Sequence, residues 1–567
     1  MTEPDDLGTT PLGDAEILDQ SGQSTPAMQD GGGPTTSGSN RRRWPVVAGA
    51  AAVLVVGGAG IALGMALSGG GTQPEELMPA DAVFYADVDF DPDAGQKVNL
   101  VRLLSKFPEV ANELGDRGDI KAYLVDQLVS GDSEWTADEV TSWLGDRAGV
   151  GVYWDEAAGQ PSIVFALAVT DEDAASAALG AHLDDDEWTI DQGFVVMVES
   201  PGLPGAGDEQ SAADIVSQSD QASLADDPDF VAATQPLGAG IASVYVDGDR
   251  AQEVFRQLAP LGMGTGGMMG MTGNQLAGQV AAVVRVEPSA IELVARSTEV
   301  QASVATETTE LMNTLPDGTV AAFAVGGGGQ GIADQWDAFT SELDQLGQLG
   351  GMGMPSSPVY DDMQPASYPL TGTSTVNSAS TEQGRQDAQS QFDRVIAELE
   401  RQYNIRLPDD LVTLFGDDLV VAVDGDGLIS ASPSMGLRSV TDPTDAADLA
   451  SRVQPVIDDV TAGFGIVVEP VDDGLVVATN REYADQLASG DGNLASDPGF
   501  QSALPDTANA TAEAWIDIDA ISGLADLFDS SSSQVLDPLQ GLGVVAGTDD
   551  DGEFFRARLT FDESSDN

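Results

Sequence analysis

The chain has 567 residues, no cysteine, and 94 acidic against 22 basic side chains, a formal charge of −72. That balance excludes nucleic acid as a partner, since phosphate recognition needs clustered Arg and Lys, and the missing thiols exclude disulfides, thiolate metal sites and cysteine chemistry. The length is more than one core usually serves, and an apolar share of 42% is that of a chain that buries most of itself, so two or more folded units are expected.

Residues 1–40 carry seven acidic and no basic side chains among many Gly, Pro, Ser and Thr. Such a segment buries too little to repay the entropy of ordering, so it reads as a disordered, acidic cytoplasmic tail. Arg41, Arg42, Arg43 and Trp44 then lead into PVVAGAAAVLVVGGAGIALGMAL, residues 45–67, a run of 23 residues without one charge. At about 1.5 Å per residue this run crosses about 30 Å of hydrocarbon with some tilt. The arginines hold their side in the cytoplasm and the tryptophan suits the interface, so residues 41–68 read as a signal anchor in the plasma membrane, with the rest of the chain extracytoplasmic. A cleaved signal peptide is the alternative, disfavoured by the length of the run and by the tail in front of it.

Beyond the anchor the same elements occur twice, over residues 75–300 and 314–562. Met78-Pro-Ala-Asp-Ala-Val-Phe-Tyr-Ala matches Leu315-Pro-Asp-Gly-Thr-Val-Ala-Ala-Phe, a Pro turn leading into an apolar strand. Trp143-Leu-Gly-Asp matches Leu414-Phe-Gly-Asp, each read as a helix closed by glycine, Gly145 or Gly416, before a strand. Val169-Thr-Asp and Val440-Thr-Asp each start a helix with a capping side chain. Asp191-Gln-Gly and Asp472-Asp-Gly turn hairpins, while Pro228 and Pro498 open short helices. Ala242-Ser-Val-Tyr-Val-Asp matches Ala512-Glu-Ala-Trp-Ile-Asp, and each copy closes with an apolar hairpin, 280–296 or 543–561. Each copy thus reads strand, helices, two strands, helix, hairpin, short helix, strand, helix, hairpin. That order predicts an α+β fold of two tandem homologous units with largely antiparallel sheets, related by a pseudo-two-fold axis.

The stretch MPADAVFYADVDFDP, starting at Met78, with the following GQKVNLVRLLSKFPE, resembles the opening of the DUF3352 family, actinobacterial membrane-anchored proteins of uncharacterised function. The resemblance runs through most of residues 75–562, with only the opening distinctive. It implies an anchor followed by an extracytoplasmic region and brings no catalytic residues with it.

Lys97, Lys106 and Lys121 all fall in one helical stretch with Arg102 and Arg117. Leu100, Val101, Leu103, Leu104 and Phe107 give it an apolar face that either packs on the core or rests on anionic lipid near the anchor. Residues 261–275 concentrate Met263, Met268, Met269 and Met271 among glycines, and 346–381 form a low-complexity insertion. Flexible thioethers on such a loop suit a hydrophobic contact; a plain insertion is the competing reading.

His182, the only histidine, excludes two-histidine zinc motifs and is expected at a helix end, either solvated or as a partner of the C-terminal dipole. The run from Gly326 to Gly331 lacks the Lys-Ser/Thr of a phosphate loop, and Asp87 to Asp93 lacks the glycine and glutamate of an EF-hand. No catalytic, cofactor or metal-binding residue is assigned. The expected function is a non-enzymatic binding or structural module of the cell envelope. It would meet membrane lipid through residues 45–67, an envelope protein or lipid partner, and cations through the acidic surface. A lipid or hydrophobic-ligand binder is the first alternative. A carboxylate-based cell-wall hydrolase, needing paired acids in a cleft, is the second.

Overall fold

Short apolar runs bounded by turn residues recur along the described chain, and strands result. The structure is a computed structural model that describes residues 72–90, 94–107, 121, 125, 135–203, 206–207, 210–258, 278–299, 308, 311–334, 336, 400–401, 404–425, 434–461, 465–525 and 538–562. The tail, the apolar run with Arg41, Arg42, Arg43 and Trp44, the methionines Met263, Met268, Met269 and Met271, and the 346–381 insertion lie outside the described residues. Among the described residues no helix is long and apolar enough to cross a membrane.

The first half runs β1 (Ala82–Asp89), α1 (Ala94–Ser105), α2 (Ala137–Thr141), β2 (Leu144–Asp155), β3 (Gln160–Val169), α3 (Glu172–His182), β4 (Trp188–Asp191), β5 (Phe194–Glu199), α4 (Ala212–Ser219), α5 (Pro228–Thr234), β6 (Ala242–Asp247), α6 (Gly248–Leu258), β7 (Gln279–Glu287) and β8 (Ala290–Ser297). The second runs β9 (Thr319–Gly326), α7 (Asp409–Phe415), β10 (Asp418–Asp424), β11 (Met435–Val440), α8 (Pro443–Thr461), β12 (Val467–Val471), β13 (Gly474–Ala478), α9 (Arg481–Ser489), α10 (Pro498–Ala503), β14 (Ala510–Asp517), α11 (Ile518–Ala525), β15 (Leu539–Asp549) and β16 (Gly552–Phe561).

All sixteen strands belong to one antiparallel α+β sheet, in the order β4-β5-β3-β2-β1-β6-β7-β8 and then β16-β15-β14-β9-β10-β11-β13-β12. Read outward from the β8–β16 join, the two halves have the same order. The register agrees as well: Tyr85 faces Tyr245 and Gly151, and at the matching places Ala322 faces Trp515 and Ala422. Likewise Ala168 faces Phe194 while Ser439 faces Leu475.

Local chemistry explains the helix starts. Asp171 caps α3 by accepting from the Ala174 N–H, and Asp227 and Asp497 cap the proline-led α5 and α10 by accepting from Phe230 and Phe500; each such cap contributes about 1 kcal/mol. Gly416 ends α7 with φ 59°, a conformation open to glycine. Gly145 differs from its expected role: α2 stops at Thr141 and Gly145 lies inside β2, where a Cβ would come within 2.7 Å of Ala168.

One face of the sheet is packed in each half by its own helices. Tyr85, Phe230 and Tyr245 stack edge-to-face over Ile215 in the first half, and Trp515 meets Phe500 at 5.5 Å over Val476 and Tyr483 in the second. A third cluster of Leu100, Leu103, Leu104, Ile241, Val286, Leu539 and Phe561 lies under α1 and draws on both halves. At the join, Arg285, Arg556 and Arg558 surround the buried Glu292, at 3.4, 3.9 and 3.6 Å. The same arginines donate to the Ala239, Asp506 and Ser502 carbonyls at the ends of the helical layers. The two halves meet within one sheet, where β8 pairs with β16.

Candidate functional site

The opposite face of the sheet is apolar across its whole width. One cross-strand row starts in the first half with Ile190, Val195, Leu167, Ala148, Val88, Ala242, Val284 and Leu293. It continues through Ala557, Val544, Ala514, Phe323, Val421, Leu437, Val477 and Val468. At the far end of the second half this face is closed by α8, through Ala446, Leu449 and Ala450. At the join α1 covers the same face over Val284, Ile291, Leu559 and Phe561. Between α1 and α8, over β9, β14 and the adjoining parts of β15 and β16, it stays open, with Phe323 45%, Ile516 37% and Phe555 39% exposed.

Between those three large side chains the floor is small. Ala514 is paired with Phe323, Ala546 with Phe555, and Ala321 with Ile516, while Ala512 joins Ala546 to Val325. Alternate residues of a strand share a face, so these form a shallow alanine-floored trough with aromatic and aliphatic walls. A trough of that kind can take up a flat or chain-like apolar group; it offers no nucleophile, acid or base. The trough is carried by residues that sequence reasoning did not single out. The signal available was Phe323 and Ile516 in strands whose other large residues face the core.

Polar clusters lie elsewhere and are internally paired. Asp87 accepts from the Ser243 hydroxyl; burial pushes its carboxyl up to about 7, with Glu75 and Asp89 adding repulsion and Ser243 opposing it. Tyr85 donates to Glu75 at 3.0 Å, and Asp89 pairs with Arg147 at 3.5 Å. In the second half Glu513, raised by burial, accepts from Thr308 at 2.9 Å. His182 is not simply solvated: it ends α3, its Nε2 is 3.2 Å from Glu139 and its ring lies 4.4 Å from that of Trp135, because α2 and α3 pack together.

The glycine run after β9 serves packing, since the Gly329 N–H donates to the Gly416 carbonyl and a Cβ at Gly329 would strike backbone. Lys121 lies beyond α1 and donates to the Leu144 carbonyl and to Asp146. An open, acidic hollow lined by Asn509, Thr548, Asp549, Asp550 and Asp551 sits at the β15–β16 turn, with Asp549 held by Arg296 at 2.7 Å. Among the described residues no three His, Asp or Glu converge as a metal ion requires.

No family model matches the sequence, and no curated protein does. Among solved structures, crystal form I of TP0453 superposes with TM-score 0.21 at 8% identity, covering 41% of this chain and 81% of that one. Crystal form III of the same protein gives 0.20 and 8%, over 40% and 80%. Superpositions that loose bear on neither fold nor function.

Proposed function

We propose that this chain is a single-pass, membrane-anchored protein whose extracytoplasmic part is an internally duplicated, non-enzymatic binding module of the cell envelope. Placement rests on the uncharged run 45–67 behind Arg41, Arg42 and Arg43, and the resemblance of the Met78 stretch to the DUF3352 opening agrees with it. Duplication is supported by the repeated strand order and by the matched register pairs Tyr85–Tyr245 and Ala322–Trp515. Binding is carried by one observation: the sheet face that stays apolar yet open across β9, β14 and the adjoining parts of β15 and β16.

The chain has no cysteine, so single-cysteine variants test the topology directly. Ser68→Cys is expected to react with an impermeant maleimide in intact cells and Ser39→Cys only after permeabilisation. The reverse pattern, or a mature chain in the medium starting beyond Leu67, sinks the placement.

The trough favours a second, narrower reading, in which the partner is a lipid or other hydrophobic ligand. Phe323, Ile516 and Phe555 are all more than a third exposed, and exposed patches of that kind mark binding sites on soluble domains. The full chain should take up a fluorescent fatty acid, and replacing these three residues by Ser should abolish uptake while leaving the melting profile in place. Unchanged uptake by the triple variant removes this reading.

A further inference from the structure

Helix α1 has two finished sides. Its inner side packs Leu100, Leu103 and Leu104 into the cluster at the join, and it is pinned there because Asn99 donates to the Val286 carbonyl at 3.0 Å while Gln96 accepts from the Val286 N–H at 3.0 Å. Val101, expected on the packed face, points the other way. At 61% exposure it and Val98, at 57%, are the most exposed large apolar side chains among the described residues. Exposed Lys97 flanks them, and residues 94–107 carry Lys97, Arg102 and Lys106 without one acidic side chain, in a chain of formal charge −72.

The position of this helix matters as much as its chemistry. The Arg147 guanidinium bridges two points: it donates to the Thr72 carbonyl at 3.1 Å and pairs with Asp89 at 3.5 Å. Thr72 follows the last residue of the apolar run, Leu67, by five positions, a span of at most about 18 Å. Asp89 ends β1, and the chain re-enters at Ala94 as α1. The tether and the start of α1 therefore leave the sheet from the same rim.

We propose that the outward face of α1 rests on the anionic headgroups of the bilayer that holds the anchor, with Val98 and Val101 entering the headgroup–acyl boundary and Lys97 and Arg102 meeting phosphate, while Lys106 stays tied to the Asp562 carbonyl. Lysine and arginine stems reach along apolar surface while their charges stay in the headgroup layer, and each cation near an anionic leaflet adds attraction that salt weakens. The proposal rests on the anchor reading above. It goes further by fixing which rim of the sheet faces the membrane.

The test uses the full chain, reconstituted into phosphatidylcholine vesicles with or without phosphatidylglycerol, carrying an environment-sensitive fluorophore on Val101→Cys or, as control, on the exposed Asp185→Cys. In anionic vesicles the probe at 101 should shift to the blue and be quenched by a headgroup-borne quencher several-fold more than the probe at 185. High salt should reverse the difference, as should K97Q alone or K97Q/R102Q. Equal quenching at the two positions overturns the proposal, and so does a shift at 101 that follows protein concentration without lipid quenching, which would identify a protein partner. Flotation of the vesicles after an alkaline wash reports the anchor separately: protein that floats without the signal at 101 sinks only this contact, whereas protein that does not float sinks the anchor and the contact with it.

Discussion

The two halves place the same backbone positions under different side chains. Beneath the helices, the first half sets Tyr85 against Tyr245 with Phe230 between them; the second sets Ala322 against Trp515 with Phe500 beside it. Bulk moves from one strand to its neighbour while the register holds, as a close-packed interior allows when total volume is kept. Polar positions trade in the same way: Asp87 faces Ser243, and Ala324 faces Glu513. On the outer face the exchange is not compensated. Buried Ala86 and half-buried Val246 stand where the second half has the exposed Phe323 and Ile516. Selection for packing keeps the inner exchanges balanced; an unbalanced outer exchange points to something the second half does and the first does not.

The largest effect should come from the inner aromatic pairs. Trp515→Ala is expected to lower stability by about 3–5 kcal/mol, and Tyr245→Ala by a similar amount, read by chemical denaturation. Because β8 and β16 pair along their length, both variants should still melt in one transition seen by calorimetry; two separated transitions would mean that the halves fold independently. Next comes the join. Glu292→Ala leaves Arg285, Arg556 and Arg558 facing one another in a largely buried setting, and a loss of about 2 kcal/mol is expected, reduced from a fully buried pair because the arginines keep some solvent.

A pH experiment separates the halves more finely. The folded carboxyl of Asp87 is raised to about 7, above its unfolded value, so the native state holds the proton more tightly. Its ionisation opposes folding above that range, and stability should rise as pH falls from 8 toward 5. Asp87→Asn should flatten that slope, whereas general charge repulsion would leave it unchanged; an unaltered melting temperature profile in the variant rejects the assignment. The smallest effect belongs to the outer face, where Phe323→Ser should cost under about 1 kcal/mol in thermal melts, as surface substitutions do. A larger loss would mean that Phe323 is a core residue and the trough is closed.

Much of this architecture was legible in the sequence because it depends on neighbours in the chain. Apolar runs mark β1, β6, β9 and β14, Asp caps followed by Pro mark α5 and α10, and Gly416 marks the end of α7. The matched stations raised the expectation of two similar halves. Gly145 was misread because a glycine beside a helix end and a glycine under a neighbouring strand look alike until Ala168 is seen against it. Val101 was misread because five apolar residues within about two turns of helix do not say which of them face inward.

By itself the sequence determined the excess of acidic side chains, the uncharged run 45–67 and the α+β class with a largely antiparallel sheet, all of which follow from composition and local pattern. Only the tertiary structure decided that the halves share a single sheet, that Glu292 and three arginines meet at the join, and which sheet face stays open. Those features are set by pairings between residues hundreds of positions apart, and a period of two says that a strand has two faces without saying what will cover either of them.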